Sequence, residues 1–105
     1  MRVITVPDDY PEADLIAAFQ GQDVVVNALT STSVAEQYRF IDAAVVAGIK
    51  RYVPSEYGLD NLNPKAQELS SVFRDKGGVR RYLHSKESTG LTWTAIACGM
   101  WIKWY

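Results

Sequence analysis

Two short apolar runs, "DVVVNAL" from Asp23 to Leu29 and "RYVP" from Arg51 to Pro54, flank one amphipathic helical segment, and this arrangement narrows the folds open to the chain. The first run is continuously apolar between polar residues, the pattern of a strand buried on both faces. In the segment between the runs, Ser33 and Glu36 form an S-x-x-E pattern. Each side chain of that pattern can satisfy a free amide of a first helical turn, which reads as a capping box. Val34, Tyr38, Ile41 and Val45 follow at spacings of four, three and four, one apolar stripe, and Gly48 supplies the exit. Strand, helix, strand with short joins is a βαβ unit, whose strands are parallel and whose crossover is right-handed.

The flanks extend the alternation. Val3 to Val6 is a β-branched run that stops at Pro7, and it reads as a strand able to pair with the free edge of Val24–Ala28. Pro11, Glu12 and Asp14 suit a helix start and Gly21 its end. A helical region runs from about Lys65 to Glu87. Its adjacent Gly77 and Gly78 cost roughly 2 kcal/mol relative to alanines, so a split is expected there. "LTWTAIAC", from Leu91 to Cys98, closes as a strand. The expected fold is α/β, a doubly wound parallel sheet with Val24–Ala28, Arg51–Pro54 and Thr92–Ala97 as neighbours.

Composition excludes several classes. The 105 residues allow one modest core, and a net charge of −1 offers no basic surface for nucleic acid or an anionic membrane. No apolar run reaches the ~18–20 residues of a membrane-spanning helix, and no basic-then-apolar leader is visible. One cysteine, Cys98, excludes an internal disulfide and fits a reducing, cytoplasmic setting. With His84 as the one histidine, no residue set for a structural metal is expected.

Ligands of open parallel sheets sit beyond the carboxyl ends of the strands. Asn27–Thr30, Ser55–Gly58 and Gly99–Trp101 all fall at such ends and would line one cleft, although Asn27 and Ser55 could equally satisfy turn amides. Lys76 shares a stripe with Val72, Val79 and Leu83. Burial of its ammonium would lower its pKa and suit it to acid/base work, while a snorkelling lysine explains the same spacing. A rival pair, Tyr82 and Lys86, forms Y-x-x-x-K, the catalytic pair of short-chain dehydrogenases. Ser55 lies too far upstream to complete it, and Ser70 and Ser71 fall in the helical region. His84, flanked by polar residues, reads as solvated.

The stretches "IDAAVVAGIKRYVPSEYG", "VFRDKGGVRRYL" and "LTWTAIACG" together resemble the NmrA-like and isoflavone reductase-like branch of atypical short-chain dehydrogenases, over nearly the whole chain. The resemblance implies an NADPH-dependent reductase of small carbonyl or aromatic substrates, or a dinucleotide-sensing regulator without catalysis. It makes Lys76 the catalytic group. It places Pro54, Ser55, Glu56, Tyr57 and Gly58 along the nicotinamide, and Asn27, Ala28, Leu29 and Thr30 at the cofactor ribose and adenine. Gly99, Met100 and Trp101 would begin the substrate wall. No metal, nucleic acid or membrane is implied, and the oligomeric state stays open.

Two departures stand out: Gly77 and Gly78 replace better helix formers beside the lysine, and Met100-Trp101-Ile102 replaces the proline and phenylalanines common there. The seven glycines also form no phosphate-binding loop. The chain therefore reads as one partial NAD(P)-binding domain, residues 1–105. It would be a Rossmann-type sheet lacking its first βαβ unit, an internal piece of a reductase or a truncated copy, and a weak binder of NADPH by itself.

Overall fold

A computed structural model of the chain describes residues 1–99. In chain order the elements are helix α1 (Glu12–Phe19), strand β1 (Val24–Val26), a 3₁₀ segment (Ser31–Glu36) and helix α2 (Gln37–Ala47). Strand β2 (Arg51–Val53), helices α3 (Pro64–Leu69) and α4 (Ser71–Ser85), a short 3₁₀ turn (Glu87–Thr89) and strand β3 (Thr92–Trp93) follow. The strands form one parallel sheet in the order β1-β2-β3, with Val25 opposite Tyr52 and Tyr52 opposite Trp93. The expected sheet is present with shorter strands. Beyond β3 the chain stays alongside the loop that follows β2: the Tyr57 amide donates to the Ile96 carbonyl at 3.0 Å, and Gly58 bridges Ala97 in parallel. Among the described residues no helix is long and apolar enough to cross a membrane.

The core lies on one face of the sheet. Val25 and Tyr52 meet Ile41 and Ala44 of α2, Val79 and Leu83 of α4, and Leu91. Each fully buried aliphatic side chain contributes roughly 1.5–3 kcal/mol by leaving water. Helix α1 packs on α2, where the Phe19 and Phe40 rings approach to 6.2 Å between centroids. Strand β1 is not buried on both faces as its continuous apolar run predicts. Val24 is 50% and Val26 64% exposed, because α2 and α4 both pack on the Val25–Tyr52 face and nothing among the described residues covers the other.

Three further expectations are corrected. Residues 3–6 form no strand, and Val3 is 79% exposed. A β-branched run makes a strand only where a neighbour takes its backbone groups, and the sheet's β1 edge is not so occupied. The Ser33–Glu36 capping box does not form. Ser33 sits at φ −114°, ψ 19°, outside the helical range, so the segment winds as 3₁₀ and α2 starts at Gln37. Glu36 instead faces Arg39 at 3.6 Å. The apolar stripe survives this change: Val34 and Ile41 are buried, and Tyr38 and Val45 pack against the core.

The long helical region breaks at Ser70, not at Gly77-Gly78. Ser70 is extended, and its hydroxyl accepts from the Val72 amide at 3.2 Å, capping α4. The glycines remain helical because close packing requires them. A β-carbon on Gly77 would lie 2.5 Å from the Asn61 carbonyl oxygen, and one on Gly78 would lie 2.9 Å from the Tyr38 hydroxyl. Absent side chains let α4 approach the 54–63 loop and α2, which offsets the poor helix propensity.

Candidate functional site

The chain turns at the carboxyl end of β1 through Asn27. Its Oδ1 accepts from the Leu29 amide at 2.9 Å, an Asx turn, and its Nδ2 donates to the Tyr52 hydroxyl at 2.9 Å. The end of β2 is tied to this turn. The Ser55 hydroxyl donates to the Leu29 carbonyl at 2.7 Å, and the Tyr57 hydroxyl donates to the Asn27 carbonyl at 3.1 Å. Gln37, fully buried, accepts the Ser55 amide at 3.0 Å and so locks the start of α2 to the same loop. Tyr57 takes φ 43°, a left-handed conformation that costs a non-glycine residue on the order of 1–2 kcal/mol. Its hydroxyl and amide bonds hold it there.

These turns, residues 96–99 and one face of α4 surround a cleft of about 820 Å³. Ala28, Leu29 and Thr30 line it from the turn after β1, Ser55, Glu56, Tyr57 and Gly58 from the loop after β2, and Lys76 from α4. Gly99 completes the rim, its amide donating to the Gly58 carbonyl at 3.0 Å. Asn27 and Pro54 lie buried behind the lining. Met100 and Trp101 lie outside the described residues. Thus the strand-end residues that the sequence singles out within the described range converge on one cavity or directly behind it.

Lys76 is half-buried, and its Nζ donates to the Glu56 backbone carbonyl at 2.9 Å. Burial pushes its pKa below the ordinary lysine value, against the opposing pull of Glu56 and Cys98. It is the one cation among the described residues that line the cleft. The Glu56 carboxyl is pushed above the usual carboxylate range by burial, against the Asn61 hydrogen bond, Arg80 and Lys76, while Asp60 reinforces the rise.

The rival pair lies elsewhere. The Tyr82 hydroxyl donates to Asp42 Oδ1 on α2, its ring meets Tyr38 edge-on at 4.9 Å, and Lys86 Nζ sits 4.9 Å from that ring. The Asp42 bond leads the causes that push the Tyr82 phenol up to about 12, away from an easily ionised acid/base group. Neither residue lines the cleft. His84 is exposed beside Glu87, at 3.1 Å.

Sequence reasoning passed over Phe73, Ile96 and Cys98, which also line the cleft. Phe73 precedes Lys76 by three residues and so shares its helical face. Ile96 and Cys98 alternate along an extended segment and so share a side. Gln37, four residues before Ile41, was legible as a stripe position despite being polar.

A model of the NmrA-like family matches residues 3–105. The chain is 40% identical over 104 residues to Oxidoreductase aprR of Aspergillus flavus, covering 98% of this chain and 35% of that protein. It matches a solved structure from work on pinoresinol-lariciresinol and phenylcoumaran benzylic ether reductases and their relationship to isoflavone reductases. That match has a TM-score of 0.72 and 35% identity, over 89% of this chain and 30% of the other. The binary complex of leucoanthocyanidin reductase with NADPH from Vitis vinifera matches with a TM-score of 0.66 and 28% identity, over 84% of this chain and 31% of the other. The chain spans about a third of the length of the curated relatives it matches.

Proposed function

The chain belongs to the NmrA-like family, and from that premise we propose that the protein carrying it is an NADPH-dependent reductase of small aromatic or carbonyl substrates, with Lys76 as its acid/base group. One observation carries this reading: a lysine with a depressed pKa is the cleft's only cation among the described lining residues, at the carboxyl ends of parallel strands. The reductase structures that the chain resembles support the substrate class, and the leucoanthocyanidin reductase–NADPH complex supports the cofactor.

The residues present fit part of a dinucleotide. Ala28–Thr30 would take the ribose and adenine, and Ser55–Gly58 the nicotinamide, against the apolar surface of Leu29 and Ile96, with Asn27 and Pro54 holding the turns behind them. Among the described lining residues only Lys76 could neutralise a pyrophosphate, which supports reading this stretch as part of a dinucleotide-binding domain. When bound, the reduced nicotinamide supplies hydride. The chain's own part is to hold the substrate oxygen and deliver a proton to it. Lys76 Nζ would exchange the Glu56 carbonyl for that oxygen and donate its proton as negative charge develops there. Substrate-dependent NADPH oxidation by the whole protein, lost on Lys76→Met, tests the reading.

A further inference from the structure

Beneath Lys76 lies a carboxyl that this chemistry leaves unused. Glu56 is 2% exposed. Its Oε2 accepts from the Asn61 amide, while its Oε1 is buried with no hydrogen-bond partner. Asn61 is fully buried, and its Oδ1 is unpartnered as well.

The charged groups around Glu56 are engaged elsewhere. From α4, Lys76 Nζ donates to the backbone carbonyl of Glu56, and Arg80 Nη1 pairs with Asp60 Oδ1 at 2.7 Å. From the loop, Asp60 adds a charge of like sign, and from the segment after β3, Cys98 faces the lysine. No ion pair reaches the Glu56 carboxyl among the described residues. A carboxylate enclosed without a direct ion pair, where burial outweighs the more distant cations, takes up a proton instead of bearing its charge. The hydrogen-bond inventory agrees. Beside the carboxyl the unpartnered oxygens are Glu56 Oε1 and Asn61 Oδ1, both acceptors when Glu56 is ionised, and the acid brings one donor to them, while Arg80 Nε is buried without a partner of its own.

Asn61 also docks the loop on α4, through its backbone. The Asn61 carbonyl presses against Gly77, the residue after Lys76, and also accepts from Gln67 Nε2 at 2.7 Å. We propose that Glu56 is carried as a neutral carboxylic acid whose contact with Asn61 fixes the loop that holds Lys76. It is a positioning residue that acts through the lysine. The functional meaning rests on Lys76 being the acid/base group, but the test needs no turnover, so its failure would leave the reductase reading standing.

The test is a ¹³C NMR titration of the folded protein at Glu56 Cδ and Lys76 Cε. The expected result is that Glu56 loses its proton above the range of the exposed carboxylates. Glu56→Gln, a neutral isostere that keeps the Asn61 contact, should melt at the parental temperature at pH values below the Glu56 midpoint, where the parent carries an equally neutral group. Relative to Glu56→Gln, which lacks the same charge, Glu56→Ala should raise the Lys76 midpoint toward the ordinary lysine value as the loop loosens and the ammonium rehydrates. An ordinary Glu56 titration would overturn the proposal. So would a Glu56→Gln protein that melts well below the parent at pH values under the Glu56 midpoint, which would mean that the native state needs the carboxylate. If Glu56→Ala does not fold, the Glu56 titration and Glu56→Gln decide alone. If Glu56→Gln itself fails to fold, the neutral form is not the native one and the proposal falls.

Discussion

The backbone carbonyl oxygen of Asn61 stands 2.5 Å from where a β-carbon on Gly77 would lie. Helix propensity favours Gly77→Ala by about 1 kcal/mol, but a backbone oxygen in a docked loop cannot move aside cheaply. Gly77→Ala should therefore destabilise the fold by roughly 1–3 kcal/mol in denaturant unfolding. At Gly78 the obstacle is the far end of the Tyr38 side chain, so Gly78→Ala should lie within about 1 kcal/mol of the parent. Equal effects at the two positions would contradict this account of α4 docking.

The one-sided sheet makes a second prediction. Val25 is buried in the core, whereas Val26 on the next pleat is 64% exposed. Val25→Ala should cost about 1–3 kcal/mol. Val26→Thr should change stability by no more than about 0.5 kcal/mol. Similar losses at both sites in thermal unfolding would show that both faces of β1 are covered.

The βαβ unit was legible because a continuous apolar run and a three-four stripe differ in period and are separated by Gly48 and short joins. The converging strand ends followed from the parallel topology alone. Other features depended on distant partners. Nothing near Gly77 announces that Asn61 will press on it, and nothing in Ser33-x-x-Glu36 reveals that the segment winds as 3₁₀ into a helix whose first residue, Gln37, accepts the Ser55 amide. Val3–Val6 has β propensity without a neighbour to pair with. The spacing around Lys76 by itself favoured a snorkelling lysine, and its proposed role came from the family resemblance rather than from periodicity.

The pH dependence of stability follows from Glu56. Its folded pKa is raised above 4.5, so between those two values the native state holds the proton more tightly than the unfolded chain. The associated stability is fully present below about pH 4 and declines as pH rises through the raised value. Relative to Glu56→Gln, the parent should lose melting temperature as pH climbs above 4.5. A parent that instead gains on the variant over that range would show a carboxylate stabilised by charge.

Tyr82 titrates far from the cleft. Tyr82→Phe removes the bond to Asp42 and should cost at most about 1 kcal/mol at neutral pH. The phenol is raised from 10.0 to about 12, so that difference should hold below pH 10 and vanish as pH rises through 12. Unfolding of parent and variant at several alkaline pH values checks both the size and the window.

The central claim is that Lys76 is the acid/base group of an NADPH-dependent reductase. It is tested most directly by the steady-state kinetics of substrate-dependent NADPH oxidation in the whole protein, comparing Lys76→Met with Tyr82→Phe. Methionine keeps a long unbranched stem and removes the amine, so packing around Phe73 and Val72 should survive. A well-placed proton-transfer group is typically worth about 10²–10⁴ in rate, roughly 3–5 kcal/mol. The account predicts a fall of that size in kcat for Lys76→Met with NADPH affinity unchanged, and near-parental turnover for Tyr82→Phe. Near-parental kcat in Lys76→Met, together with collapse in Tyr82→Phe, would contradict it.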